Sequence, residues 1–213
     1  MRRALKVVVL SAVAILGVLG FAPTSYAQNS QVTVSVFSDV PVSRDLLGRA
    51  EQQAQEIFSS AGVDIAWIDC TRTHTADGVL DPACPNSYGP DDLVLRITSH
   101  LSTATGDAAG VAFLGSDGRG RYADVFWTRA RELNANSNLG LDRILGSVMA
   151  HEMGHLLLGL NSHSVSGVMR ARWGSDELQR MDMGTLLFLP EQGKRMRARI
   201  ADASSARISS GSR

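Results

Sequence analysis

Residues 151–163 read His-Glu-Met-Gly-His-Leu-Leu-Leu-Gly-Leu-Asn-Ser-His, so three of the five histidines fall in one short segment. The first five positions match H-E-x-x-H. Helical residues four apart share a face, so the imidazoles of His151 and His155 can reach a single ion. Neutral imidazole suits Zn²⁺, with Zn–N near ~2.0 Å. Glu152, next to the first ligand, can stand beside the metal without binding it and act as general base toward a zinc-bound water. His163 is the expected third ligand. Gly159 can reverse the chain after the helix, and Asn161 or Ser162 can close the turn through side-chain hydrogen bonds. Glu177, with Asp176 beside it, is the rival third ligand. The other use of both is at a helix start, where acidic side chains are favoured. Three protein ligands leave one position open for water, as catalytic zinc sites do, and one catalytic ion is expected.

These residues must be held by the elements around them. Leu139 to Leu158 reads as one long helix, apolar on nearly every side, as expected at the centre of a domain. Two histidines and a glutamate in such a helix are costly to bury without a metal or other partners. Before it, Val32, Val34 and Val36 alternate with Thr33, Ser35 and Phe37 as a strand does. Leu46 to Phe58 carries apolar residues at helical spacing, and Ser43 or Asp45 can cap it. Val63–Ile68, Leu93–Ile97, Gly110–Leu114 and Tyr122–Trp127 read as four further strands. A short helix is expected over Asp176–Met181. Another is expected from Pro190 to about Ala201, with Pro190 in its first turn.

At this point the chain resembles the zincin metallopeptidases, and among them the metzincins, most closely their matrixin-type catalytic domains. That pattern is H-E-x-x-H-x-x-G-x-x-H followed by a turn bearing a methionine, and Gly167-Val168-Met169 looks like that Met-turn. The resemblance implies an α+β fold: a twisted, mixed five-stranded sheet packed on two long helices, with an irregular C-terminal subdomain and a terminal helix. It implies a zinc-dependent endopeptidase, with Met169 packed beneath the metal. Substrate would lie extended along the edge strand Gly110, Val111, Ala112, Phe113 and Leu114, by strand addition. The spacing departs from the family. Gly159 is four residues after His155 rather than three, and His163 is eight after rather than six. Asn161 stands at the strict third-ligand position, and Arg170 follows the methionine where some metzincins have tyrosine. Arg170 and Arg172 can meet a substrate carboxylate or simply face solvent. His74 and His100 read as surface residues. Trp67, Phe126 and Trp127 read as core or sheet-face residues.

Composition bounds the remaining possibilities. Arg2, Arg3 and Lys6 precede the uncharged run Val7–Ala22, and Ser25-Tyr26-Ala27 has the small-x-small form of a signal-peptidase site. Residues 1–27 are therefore expected to be a signal peptide, residues 28–203 the catalytic domain and residues 204–213 a flexible tail. Export places the protein in the medium or the periplasm, with no stable membrane insertion after cleavage, since the apolar run falls short of about 20 residues. The whole chain balances 21 basic against 21 acidic residues. Loss of the three basic residues of the signal leaves the mature chain mildly acidic, which argues against nucleic acid as a partner. A peptide or protein substrate and a monomer are expected. Cys70 and Cys84, the only cysteines, are expected to form a disulfide, as export permits. Two other functions fit the same residues: a zinc hydrolase of another amide, and a non-catalytic zinc-binding module. Glu152 argues against the second, because a structural site has no use for a general base.

Overall fold

The computed structural model describes residues 30–71, 84, 89, 92–100 and 106–210. The expected signal peptide and His74 lie outside the described residues. The elements are β1 (Ser30–Ser38), α1 (Arg44–Ser60), β2 (Val63–Asp69), β3 (Leu93–Thr98), β4 (Gly110–Phe113), β5 (Tyr122–Phe126), α2 (Trp127–Ala135), α3 (Leu141–Leu158), α4 (Ser175–Asp182) and α5 (Pro190–Ser210). The strands form one mixed sheet in the order β2-β1-β3-β5-β4. All neighbours are parallel except β4 and β5, which are antiparallel. This is the α+β architecture that the resemblance implies, with the antiparallel strand at the edge.

Alternation within the strands explains where the core sits. Val32, Val34 and Val36 of β1, Leu93, Leu95 and Ile97 of β3, and Ala123 and Val125 of β5 are buried in one cluster with the helices. α1 brings Leu47, Ala50, Ala54, Ile57 and Phe58 to that cluster at helical spacing. Its start is fixed by the Ser43 hydroxyl, which accepts from the Leu46 N–H at 3.2 Å. α3 lies at the centre and packs against α1, α2, β4, β5 and α5. Its C-terminus is closed by Arg195 of α5, whose Nη2 donates to the Leu158 carbonyl at 2.9 Å. A cation there also complements the helix dipole. The helix bearing the histidines is thus clamped on several sides.

Several boundaries differ from expectation. β4 ends at Phe113, so Leu114 is outside the strand. β5 ends at Phe126, and Trp127 opens a helix that the sequence did not signal. Ala130 is its one fully buried residue, and Trp127 and Leu133 are its only partly buried hydrophobic residues, a stripe too short to announce a helix. α3 starts at Leu141 rather than Leu139. α5 continues to Ser210, through most of the segment expected to be a flexible tail. Met196 and Ile200 anchor it to the core. Cys70 and Cys84 form the expected disulfide, with Cα atoms 5.7 Å apart. Closing a loop of that size contributes about 3 kcal/mol in the chain-entropy account. Among the described residues, no helix is long and apolar enough to cross a membrane.

Candidate metal centre

His151 and His155 sit one turn apart on α3, and their Nε2 atoms are 3.1 Å apart. His163 arrives from the loop beyond the helix. Gly159 allows this, with φ of 82°, and Asn161 follows at φ 56°. The His163 ring centroid lies 4.6 Å from that of His155 and 5.5 Å from that of His151. One ligand atom from each of the three histidines can be chosen so that all lie within 4.8 Å of one another. Glu177 and Asp176 are not part of that set.

The hydrogen bonds decide which ring nitrogens face inward. His151 Nδ1 lies 2.7 Å from the Val168 carbonyl, which can only accept. Its Nδ1 therefore carries the hydrogen, and the Nε2 lone pair is left free. The same carbonyl accepts from Trp173 Nε1–H at 3.2 Å, and the Trp173 ring meets His151 edge-on at 5.8 Å. His155 Nδ1 lies 2.7 Å from the Ser162 hydroxyl, which is buried. With Nδ1 as donor, His155 likewise presents Nε2. Burial first, aided by neighbouring histidines, pushes His155 down to about 3. Burial also lowers His151, to about 4, against the opposing pull of the Val168 carbonyl. Both rings are thus neutral, the form that binds metal.

The donor set fits zinc. Two nitrogens bound tetrahedrally at about 2.05 Å stand roughly 3.3 Å apart, close to the 3.1 Å between the Nε2 atoms. His163 is exposed, and no hydrogen bond holds its ring among the described residues. It can close the remaining distance by rotation of its side chain. Met169 is fully buried. Gly154 makes room for it: a Cβ there would stand 2.5 Å from Met169 Sδ and 2.8 Å from Phe188 Cε1.

Glu152 points from α3 toward the edge strand. A Cβ on Gly110 would meet Glu152 Cγ at 2.6 Å, Glu152 Oε1 at 2.7 Å and the Asp124 carbonyl at 2.7 Å. Glycine at this position is what lets β4 lie directly over the carboxyl group. Burial pushes the Glu152 carboxyl up to about 8. His151, Glu152, His155 and His163 line a cavity of about 710 Å³. Residues Gly110, Val111, Ala112 and Leu114 border the same cavity, and Phe113 does not.

The sequence reading missed two partners in this region. Glu177 is 3% exposed and accepts from Arg170 Nη1 with both carboxylate oxygens at 2.8 Å. It also accepts from the Gly174 N–H at 3.0 Å, at the start of α4. Its role is to hold Arg170 and close the helix end, and the acid-near-a-helix-start reading named half of it. Gly110 was read only as a strand residue, and nothing in its own sequence neighbourhood points to Glu152.

No family model matches the sequence, and no curated protein matches it. Among solved structures, the chain is similar to archaemetzincin from Methanopyrus kandleri. The match has 20% identity and a TM-score of 0.48, and covers 83% of this chain and 99% of that one. It is also similar to myroilysin, with 14% identity and a TM-score of 0.34, over 77% of this chain and 71% of that one.

Proposed function

We propose that the chain is a secreted zinc-dependent metallopeptidase of the metzincin kind, with its catalytic unit in residues 28–203 behind a signal peptide of residues 1–27. His151, His155 and His163 would hold one zinc ion, and Glu152 would be the general base. The observation that carries this reading is the convergence of three imidazoles beside one buried carboxyl group in an open cleft. A structural zinc site would close four protein ligands around the ion; among the described residues three ligands converge, and the cleft is open beside them.

A bound zinc ion supplies Lewis acidity, lowering the pKa of water and polarising a carbonyl. The chain's own residues do the rest. Val168 and Ser162 fix the two helical imidazoles, so little reorganisation is needed when the metal arrives. Among the described residues β4 has a strand on one side only, so its other edge can take up an extended peptide. A peptide laid there passes over Gly110, beneath which the Glu152 carboxyl sits. Beside a bound dication the Glu152 carboxyl would be held in its ionised form, in which it would take the proton of the attacking water and give it to the leaving amine. A carboxyl whose proton affinity is raised by burial is suited to both halves of that transfer.

The test loads wild type and Glu152→Ala with equal zinc and exposes both to a peptide library read by mass spectrometry. Wild type should cleave, and Glu152→Ala should keep its zinc but lose cleavage by about 10²–10⁴-fold. A wild type that holds one zinc and cleaves no peptide overturns the reading, as does a fully active Glu152→Ala. Cleavage of a non-peptide amide alone would favour a hydrolase of another class.

A further inference from the structure

Beyond the histidines and Glu152, the cleft wall carries Arg170, Ala171, Arg172 and Trp173. We propose that Arg170 and Arg172 select substrates carrying a carboxylate close to the scissile bond; this rests on the peptidase reading. Arg170 is held in place from two sides. Its backbone forms an isolated β-bridge with Ser164, the neighbour of His163, and its N–H donates to the Gly167 carbonyl at 3.1 Å. Its Nη1 donates to both oxygens of buried Glu177. A guanidinium has five N–H donors in a planar fork, so Nε and Nη2 remain for a further acceptor. The Arg170 side chain is 44% exposed, and Arg170 lines the cleft.

The charge count points the same way. Glu177 balances Arg170. Arg172 is exposed, with no ion pair or hydrogen bond among the described residues. Of the two acids among the lining residues, Glu152 is the proposed general base and Asp107 is engaged by Arg129 at 3.6 Å. Among the described residues, the wall beside His163 therefore presents one positive charge without a paired acid, next to a guanidinium held by Glu177. Ordering that side chain costs little on binding, because Glu177 has ordered it beforehand. A planar carboxylate is the acceptor that matches such a fork. It can come from an Asp or Glu side chain of a longer peptide, or from the free C-terminus of a short one.

The experiment uses zinc-loaded wild type, Arg172→Glu and Arg172→Ala, and peptides cleaved at one bond. One set differs only in Asp or Glu against Asn or Gln near that bond. A second set differs only in a free against an amidated C-terminus. The readout is the ratio of kcat/KM within each matched pair. Wild type should favour the carboxylate by about tenfold, mainly through KM. Arg172→Glu should bring the ratio to one or below, Arg172→Ala should lower it, and salt should compress it in wild type. A preference in the first set alone assigns the group to an acidic side chain, and in the second set alone to a C-terminus. Equal cleavage of both members of every pair overturns the inference and leaves the peptidase reading standing. So does a wild-type ratio that persists in Arg172→Glu. A wild type that cleaves none of the peptides overturns the peptidase reading, and this inference with it.

Discussion

Replacing Gly110 by alanine puts a methyl group where three atoms already stand. They are Glu152 Cγ at 2.6 Å, Glu152 Oε1 at 2.7 Å and the Asp124 carbonyl oxygen at 2.7 Å. Ordinary carbon contacts lie at about 3.5–4.0 Å, so the overlap is roughly 1 Å. Asp124 is held in β5, which pairs with both β3 and β4. Glu152 is buried on the central helix. Neither side yields freely, and overpacking of this kind costs about 1–3 kcal/mol. Gly110 has no positive φ, so alanine also brings the usual unfolded-state gain of about 0.4–1 kcal/mol. The expected net loss is about 1–2 kcal/mol, or roughly 2–8 °C in Tm for a domain of this size. Gly48 in α1 is the control. Nothing lies within 4 Å of a Cβ placed there, so Gly48→Ala should stabilise by about 0.8–1 kcal/mol. Glu152→Ala removes two of the three obstructing atoms, so Gly110→Ala should cost about 1 kcal/mol less in that background. Urea unfolding of the metal-free single and double variants measures this directly. A Gly110→Ala protein as stable as wild type refutes the reasoning, and so does a cost that is the same with and without the Glu152 side chain.

Ser162→Ala removes the partner of His155 Nδ1. Zinc affinity should fall about 10–100-fold in a competitive chelator titration, with the fold retained by circular dichroism. At Glu177, burial alone would raise the carboxyl, but Arg170 and the Gly174 N–H outweigh it and hold the group below its ordinary range. Its stabilisation is therefore present above the unfolded value of about 4.5 and lost as pH falls through the depressed folded value. Glu177→Gln should cost about 1–2 kcal/mol at neutral pH, and the deficit should shrink in acid. A pH-independent deficit in thermal unfolding would contradict this. Glu51 is the opposite case: burial first, then the nearby Asp69 charge, pushes it up to about 7. The folded state then keeps the proton longer than the unfolded one, so stability falls as pH rises from about 4.5 through 7. Glu51→Gln should match wild type in acid and exceed it above that window.

The parts of this molecule that obey a simple period are the parts the sequence makes legible. The valines of β1 alternate, the apolar residues of α1 recur at helical spacing, and α3 is apolar on nearly every side; all three elements form, with ends within two residues of those expected. The two helical histidines follow from the same periodicity. α2 escaped because only Trp127, Ala130 and Leu133 dock it on the core, and Trp127 also continues the apolar run of β5. The end of α5 escaped because its Ser- and Arg-rich composition resembles a frayed tail. His163 was nameable only through the flexibility of the Gly159 turn, since its distance from His155 matches no strict motif. The Gly110–Glu152 approach and the Glu177–Arg170 pair join residues brought together by tertiary packing, which leaves no mark on local spacing.

Zinc K-edge X-ray absorption on the zinc-loaded chain tests the central claim most directly, because it counts ligands without needing a substrate. Three imidazole nitrogens at about 2.0–2.1 Å and one further light atom are predicted for wild type, with two imidazoles in His163→Ala. Two imidazoles and a carboxylate in wild type, or identical spectra for the two proteins, would contradict it.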